Sequence, residues 1–259
     1  MVPNDSEDLT TASARPERRL GRAAARFALA IGALCAAVAL SAGPGYRMQL
    51  WSLSDGFTLL RWATFGAIAG AVVALLVLGL TWLARVPRGR VIAAAALVLN
   101  LLVAAPPLVL YRQAQGLPKI HDISTDTADP PAFVAVLPLR QGARNPVEYR
   151  ADTAAQQRIG YPDIAPLRLD VPPAEAFARA ERAARAMGWE VVAVVPSALR
   201  IEATATTLLF GFKDDVVIRI RPQGQGSLVD VRSLSRIGGS DVGANAARIR
   251  SFLGKLGAS

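Results

Sequence analysis

The chain has 259 residues, 52% hydrophobic but only 6% aromatic, so its apolar content is mostly Ala, Val and Leu. That balance excludes a wholly soluble, charge-rich chain and points to membrane helices plus one modest domain. The net charge of +9 would suggest nucleic acid in a soluble protein, but residues 1–110 hold ten Arg against five acidic residues, leaving a mildly basic remainder of 19 against 15; no nucleic acid partner is expected.

Residues 1–26 begin polar and acidic and read as a disordered cytoplasmic tail, ending in Arg15, Arg18, Arg19, Arg22 and Arg26. An apolar stretch, 27–42, follows. Its sixteen residues span about 24 Å against a hydrocarbon core of about 30 Å, a shortfall that Arg22 and Arg26 can make up by snorkelling. A cleaved signal peptide is the rival, with Ala37-Val38-Ala39 or Leu40-Ser41-Ala42 at the cut; the long basic lead favours a retained anchor. Cys35, the sole cysteine, lies inside this run, which leaves no intrachain disulfide and no thiolate metal site.

The second span, 62–84, is apolar throughout and bracketed by Trp62 and Trp82, about 30 Å apart along a helix, as an aromatic belt at both interfaces requires. Gly66 and Gly70 form a small-xxx-small pair suited to packing within the bundle. The third span, 91–110, carries Asn100, expected to bond a neighbouring helix, and Pro106-Pro107, where a terminus or kink is expected. Tyr46, Trp51 and Phe57 in the first connection suggest a segment lying at the outer interface. Five arginines precede span one, two stand in the first connection and three within 85–90. This places the N-terminus in the cytoplasm and everything after Leu110 outside the cytoplasmic membrane of a bacterium.

Residues 111–259 are therefore expected to form an exported α+β domain. The stretch from Tyr111 to about Asp170 reads as ordered but irregular, with one strand at 133–137. Beyond it come a strand at 167–171, a helix from Pro172-Pro173 to Met187, strands at 189–195, 199–207, 215–221 and 228–235, and a last helix capped by Ser240. The first helix shows Ala174, Phe177, Ala180, Ala184 and Met187 on one face, with Glu175/Arg179 and Glu181/Arg185 as i,i+4 pairs. The last shows Val242, Ala246, Ile249, Leu253 and Leu256. The fold class is α+β: a three-helix transmembrane bundle, then a mainly antiparallel sheet covered on one face by two helices. The other sheet face, with Val217, Arg219, Arg221, Asp230, Arg232 and Arg236, is expected to be solvated.

Six ordered stretches carry a resemblance. They are Ile120 to Asp126 (IHDISTD), Asn145-Pro146, Gln156-Gln157 leading to Tyr161-Pro162-Asp163-Ile164, Glu202-Ala203-Thr204, Phe212 to Val216 (FKDDV), and Ser233 to Arg250 (SLSRIGGSDVGANAARIR). Together they resemble the DUF1499 family, over residues 118–256. The resemblance implies no established activity, and its three-span anchor is similar to that of some bacterial members.

Two groups of residues could carry function. Ser235, Arg236, Ser240, Asp241, Asn245 and Arg248 surround a Gly turn and a helix start, where free N–H groups beside a guanidinium can hold an anion; the plainer reading is a cap and a turn. His121, the only histidine, with Asp122 or Asp163 would be needed by any hydrolase-like mechanism. No nucleophile elbow accompanies it, and a histidine holding an irregular segment is the plainer reading. No metal or cofactor is expected, because further His or Cys ligands are missing and Asp122, Asp126 and Asp129 lack EF-hand spacing. The expected function is a non-enzymatic envelope module binding an anionic or lipid-derived ligand or a protein partner. A hydrolase using His121 is the alternative.

Overall fold

The computed structural model describes residues 5–258, with side chains from Arg19 onward. The chain divides into two compact units between Arg112 and Gln113. The first holds three helices, each long and apolar enough to cross a membrane: α1 (Asp5–Arg47), α2 (Leu53–Leu83) and α3 (Pro87–Gln115).

These helices exceed the expected spans. The tail expected to be disordered is helical from Asp5, as its Ala, Leu, Arg and Glu content favours, and residues 1–4 lie outside the described residues. The short first span is resolved in the same way, since α1 continues past both ends of the apolar stretch. The first connection shrinks to residues 48–52, so Tyr46 and Phe57 belong to helices rather than to an interfacial segment. Ser52 opens α2 with a reciprocal capping box to Asp55, and Trp51 donates to the Ala42 carbonyl at 2.9 Å. Pro106 and Pro107 do not end α3, which runs on to Gln115; membrane helices tolerate the lost N–H bonds.

Within the bundle, Asn100 donates to the Ala28 carbonyl of α1 at 3.2 Å and to Ala96 at 2.8 Å. The Gly66/Gly70 pair faces α1 and Asn100: a Cβ on Gly66 would meet Cys35 Sγ at 2.8 Å, and one on Gly70 would collide with the Asn100 side chain. Trp62 and Trp82 are 64% and 66% exposed, as lipid-facing belt residues require.

In the second unit the elements are β1 (Asp122–Ser124), α4 (Ala151–Gly160), β2 (Leu167–Leu169), α5 (Pro173–Ala186), β3 (Glu190–Val195), β4 (Arg200–Thr206), β5 (Lys213–Gln223), β6 (Gly226–Ser235) and α6 (Ala244–Gly257). The sheet is antiparallel in the order β1-β6-β5-β4-β3, with β2 also paired to β6. Gly224, at φ +60°, makes the two-residue turn that joins β5 to β6. Helices α5 and α6 cover one face. Phe177, Ala180 and Ala184 from α5 and Ile249, Phe252 and Leu256 from α6 pack on Ile201, Val216, Ile218, Val229 and Val231, and Trp189 stacks on Phe252 at 5.4 Å.

Three expectations are overturned in this unit. Residues 133–137 are not a strand, because the Val134 and Val136 N–H groups both donate to the Glu202 carboxylate at 3.0 Å instead of to a ladder. The stretch 111–170 is less irregular than its sequence suggests, since it contains β1 and α4. The second sheet face is not solvated: Phe133 and Val136 cover Val217 and Leu234, while Asp230 and Arg232 are buried. The covering segment pairs with the sheet through Arg219 to Asp129, Arg221 to Asp126 and Arg232 to the Val147 carbonyl.

Candidate functional site

Asp241, not Ser240, caps α6. Gly243 takes φ +81° at the N-cap, and the Asp241 carboxylate accepts from Gly243 N at 3.0 Å and Asn245 N at 2.7 Å. Ser240 Oγ accepts only the nearby Val242 N–H, at 3.2 Å. Burial pushes the Asp241 carboxyl up from its ordinary value; the two N–H bonds oppose this, and the charge on Asp214 adds to it.

Asn245, fully buried, gathers the other polar groups beneath α6. It donates to the His121 carbonyl at 2.9 Å and to Ser235 Oγ at 3.0 Å, and accepts from Ser233 Oγ at 2.7 Å and from Arg248. Arg248 also bonds Ser233 Oγ at 2.9 Å and Asp214 at 2.5 Å. The structure thus brings Ser235, Asp241, Asn245 and Arg248 together, but as a network bonded within the protein, with Arg248 committed to Asp214, Ser233 and Asn245. Arg236 lies across the sheet from them. It grips Asp215 from 2.7 Å and the Leu139 carbonyl at 2.7 Å, so the six residues do not line one anion site.

Of the weak catalytic candidates, both carboxylates are committed to arginines. Asp122 is 4% exposed and held at two oxygens by Arg232, at 3.0 and 2.7 Å. Burial pushes its carboxyl up, against the pull of Arg232. Asp163 pairs with Arg250 at 2.6 and 2.7 Å, and that guanidinium holds its carboxyl below the ordinary value. His121 uses its backbone carbonyl to receive Ser235 N and Asn245, while its Nδ1 is buried with no partner among the described residues.

His121 nevertheless lines a concavity that the sequence did not single out as a site. This cleft of about 220 Å³ is formed by Lys119, His121, Glu148, Arg150, Gln156 and the turn at Gly239, with Asp122 and Asp152 at its wall. Arg150 is neutralised by Asp152, at 3.0 Å. Lys119, Glu148 and Gln156 make no side-chain hydrogen bond or ion pair among the described residues. The signal was present in the Asn145-Pro146 and Gln156-Gln157 motifs. Gln157 is structural: it clamps β1, accepting from Ser124 N at 2.9 Å and donating to Ser124 O at 2.6 Å, and this turns Gln156 outward toward the cleft.

The fold and the cleft define an α+β domain protein carrying three helices able to cross a membrane. Residues 122–256, just over half of the chain, match the family described as "Protein of unknown function (DUF1499)", and the chain belongs to that family. Among curated proteins none matches it.

Proposed function

We propose that this protein is a non-enzymatic cell-envelope module, anchored in the cytoplasmic membrane of a bacterium by α1 to α3, with its N-terminus in the cytoplasm and its α+β domain outside. The asymmetry of Arg between the helix connections supports that orientation. The ligand is a small polar head group with an anionic centre beside amine or hydroxyl donors, as lipid-derived head groups have.

One observation carries this reading: Lys119, Glu148 and Gln156 face one cleft with their polar groups unengaged, whereas Arg236 and Arg248 are committed to Asp215 and Asp214. The ligand site moves accordingly from the Arg236 to Arg248 region to the cleft. Lys119 would meet the anionic centre and Glu148 the donors. A hydrolase reading has less support, because Asp122 and Asp163 are both held by arginines.

The test titrates phosphoethanolamine and glycerol 3-phosphate onto the full-length protein in detergent. Saturable stabilisation is expected, lost in Lys119→Ala with Gln156→Ala and kept in Asp163→Ala. No stabilisation by either probe overturns the ligand reading, and product release that His121→Ala abolishes overturns the non-enzymatic one. A phosphatase fused after Leu256 is expected to be active; activity of a cytoplasmic reporter there overturns the topology.

A further inference from the structure

One end of the three-helix bundle carries six arginines, Arg19, Arg22 and Arg26 on α1 and Arg85, Arg88 and Arg90 at the α2–α3 connection. The three helices meet there around Thr81: a Cβ on Gly21 would come within 3.2 Å of its Cγ2, and one on Gly89 within 2.9 Å. Among the described side chains, those from Arg19 onward, the only acidic one in the three helices is Asp55, bound into the cap of α2 at the opposite end, while Glu17 stands earlier in α1. Surface arginines of a globular unit normally find carboxylates, as those of the second unit do. Among the described residues these six form no ion pair.

Two concavities open at the same end. The first, of about 320 Å³, is a groove between α1 and α2 lined by Leu20, Ala24, Val77, Leu80 and Val86, apolar as an acyl chain requires. The second, of about 580 Å³, is lined by Trp82, Arg85, Pro87 and Arg90. Arg90 lines the second, and Arg22 directly follows Gly21 of the first; both are half-buried, and the Nε of each is shut from solvent with no hydrogen-bond partner among the described residues. Buried donors left unpaired are costly, and an anion supplied from outside the chain would satisfy them.

We infer that this end of the bundle is a specific site for an anionic phospholipid, its phosphate held by Arg22 and Arg90 and one acyl chain laid in the groove along Leu20 and Leu80. A basic pocket between helices beside an apolar groove is the chemistry that such head groups require. General attraction of the cationic end to an anionic leaflet would not need two half-buried guanidinium groups or a lined groove. The inference rests on α1 to α3 lying in a bilayer, and the experiment separates the two.

The full-length protein is reconstituted into nanodiscs of phosphatidylcholine with a minor fraction of phosphatidylglycerol or cardiolipin, and the retained lipid is counted by native mass spectrometry. Anionic lipid is expected to be enriched over neutral lipid. Arg22→Gln with Arg90→Gln lowers that enrichment by about fivefold or more, the effect of one arginine near a lipid surface. Arg22→Lys with Arg90→Lys preserves most of it and shows that the altered bundle still folds. Arg61→Gln with Arg112→Gln, at the opposite end, leaves it unchanged. Equal loss from both glutamine pairs, or no loss from either, overturns the site, as does a protein retained there in place of lipid. Release of the chain from membranes by alkaline carbonate overturns the bilayer reading itself.

Discussion

Asp214 and Asp215 are consecutive in β5 and grip arginines on opposite faces of the sheet. Asp214 holds Arg248 of α6 at 2.5 Å, while Asp215, fully buried, holds Arg236 at 2.7 Å and Arg140 of the covering segment at 2.5 Å. Strand alternation alone sends the two carboxylates apart, and each ties one layer of the domain to the sheet. Asp215→Asn leaves two arginines facing one amide, and breaking a buried pair of this kind costs about 3–5 kcal/mol. Asp214→Asn costs less, since Arg248 keeps Ser233 and Asn245. Thermal unfolding of the full-length protein in detergent measures both. Hydrogen exchange is expected to rise in residues 126–149 for Asp215→Asn and in α6 for Asp214→Asn.

Glu202 acts as the anchor for the same covering segment. It is fully buried, accepts from Val134 N and Val136 N at 3.0 Å, and pairs with Arg200 at 2.9 Å. Glu202→Ala leaves two N–H groups without acceptors at about 1–3 kcal/mol each. The Val134 and Val136 amides are expected to lose exchange protection, while those of β5 and β6 keep it. Unchanged protection at 134 and 136 would show that the carboxylate does not hold the segment.

In the bundle, Gly70 and Asn100 compete for one space. Gly70→Ala drives a methyl against the Asn100 side chain, an overpacking that costs about 1–3 kcal/mol. Asn100→Ala loses the bond to Ala28, about 0.6 kcal/mol for a typical interhelical bond. The double variant is expected to cost less than the sum of the two, because truncating Asn100 makes room for the new methyl. Additive losses in a thermal or detergent-denaturation series would contradict the packing.

The Asp163–Arg250 pair predicts a dependence on pH. Hydrogen bonding to Arg250 lowers the folded-state pKa of Asp163 beneath its ordinary value of 3.8. The unfolded chain therefore binds the proton more tightly, and the stabilisation from this pair is present above pH 3.8 and is lost as pH falls through the folded value. The pair is largely exposed, so the effect is small. Asp163→Asn is expected to lower the melting temperature slightly at pH 7, with the gap from wild type closing on acidification below pH 4.

Much of the fold was legible along the chain. The alternation of Val216, Ile218 and Ile220 and the helical spacing of Ala246, Ile249 and Leu256 named the residues that now fill the helix-covered core, because period 2 and period 3.6 are local properties. Less of the candidate site was legible. Asp122 finds Arg232 across 110 positions and Glu202 finds Val134 across 68, and no periodicity encodes such pairings. Arg236 and Arg248 read as free cations for the same reason, their carboxylates standing side by side in a motif whose two directions only the sheet reveals.

By itself, then, the sequence determined the elements whose pattern repeats within a few residues: three apolar helices, strands β2 to β6 and helices α5 and α6. Tertiary structure alone decided what closes the second sheet face, which charges cancel, and where a cleft remains. Those outcomes depend on an irregular segment whose backbone hydrogen bonds end on side chains far along the chain. There a local pattern carries no information, and the geometry of the assembled sheet selects the partner.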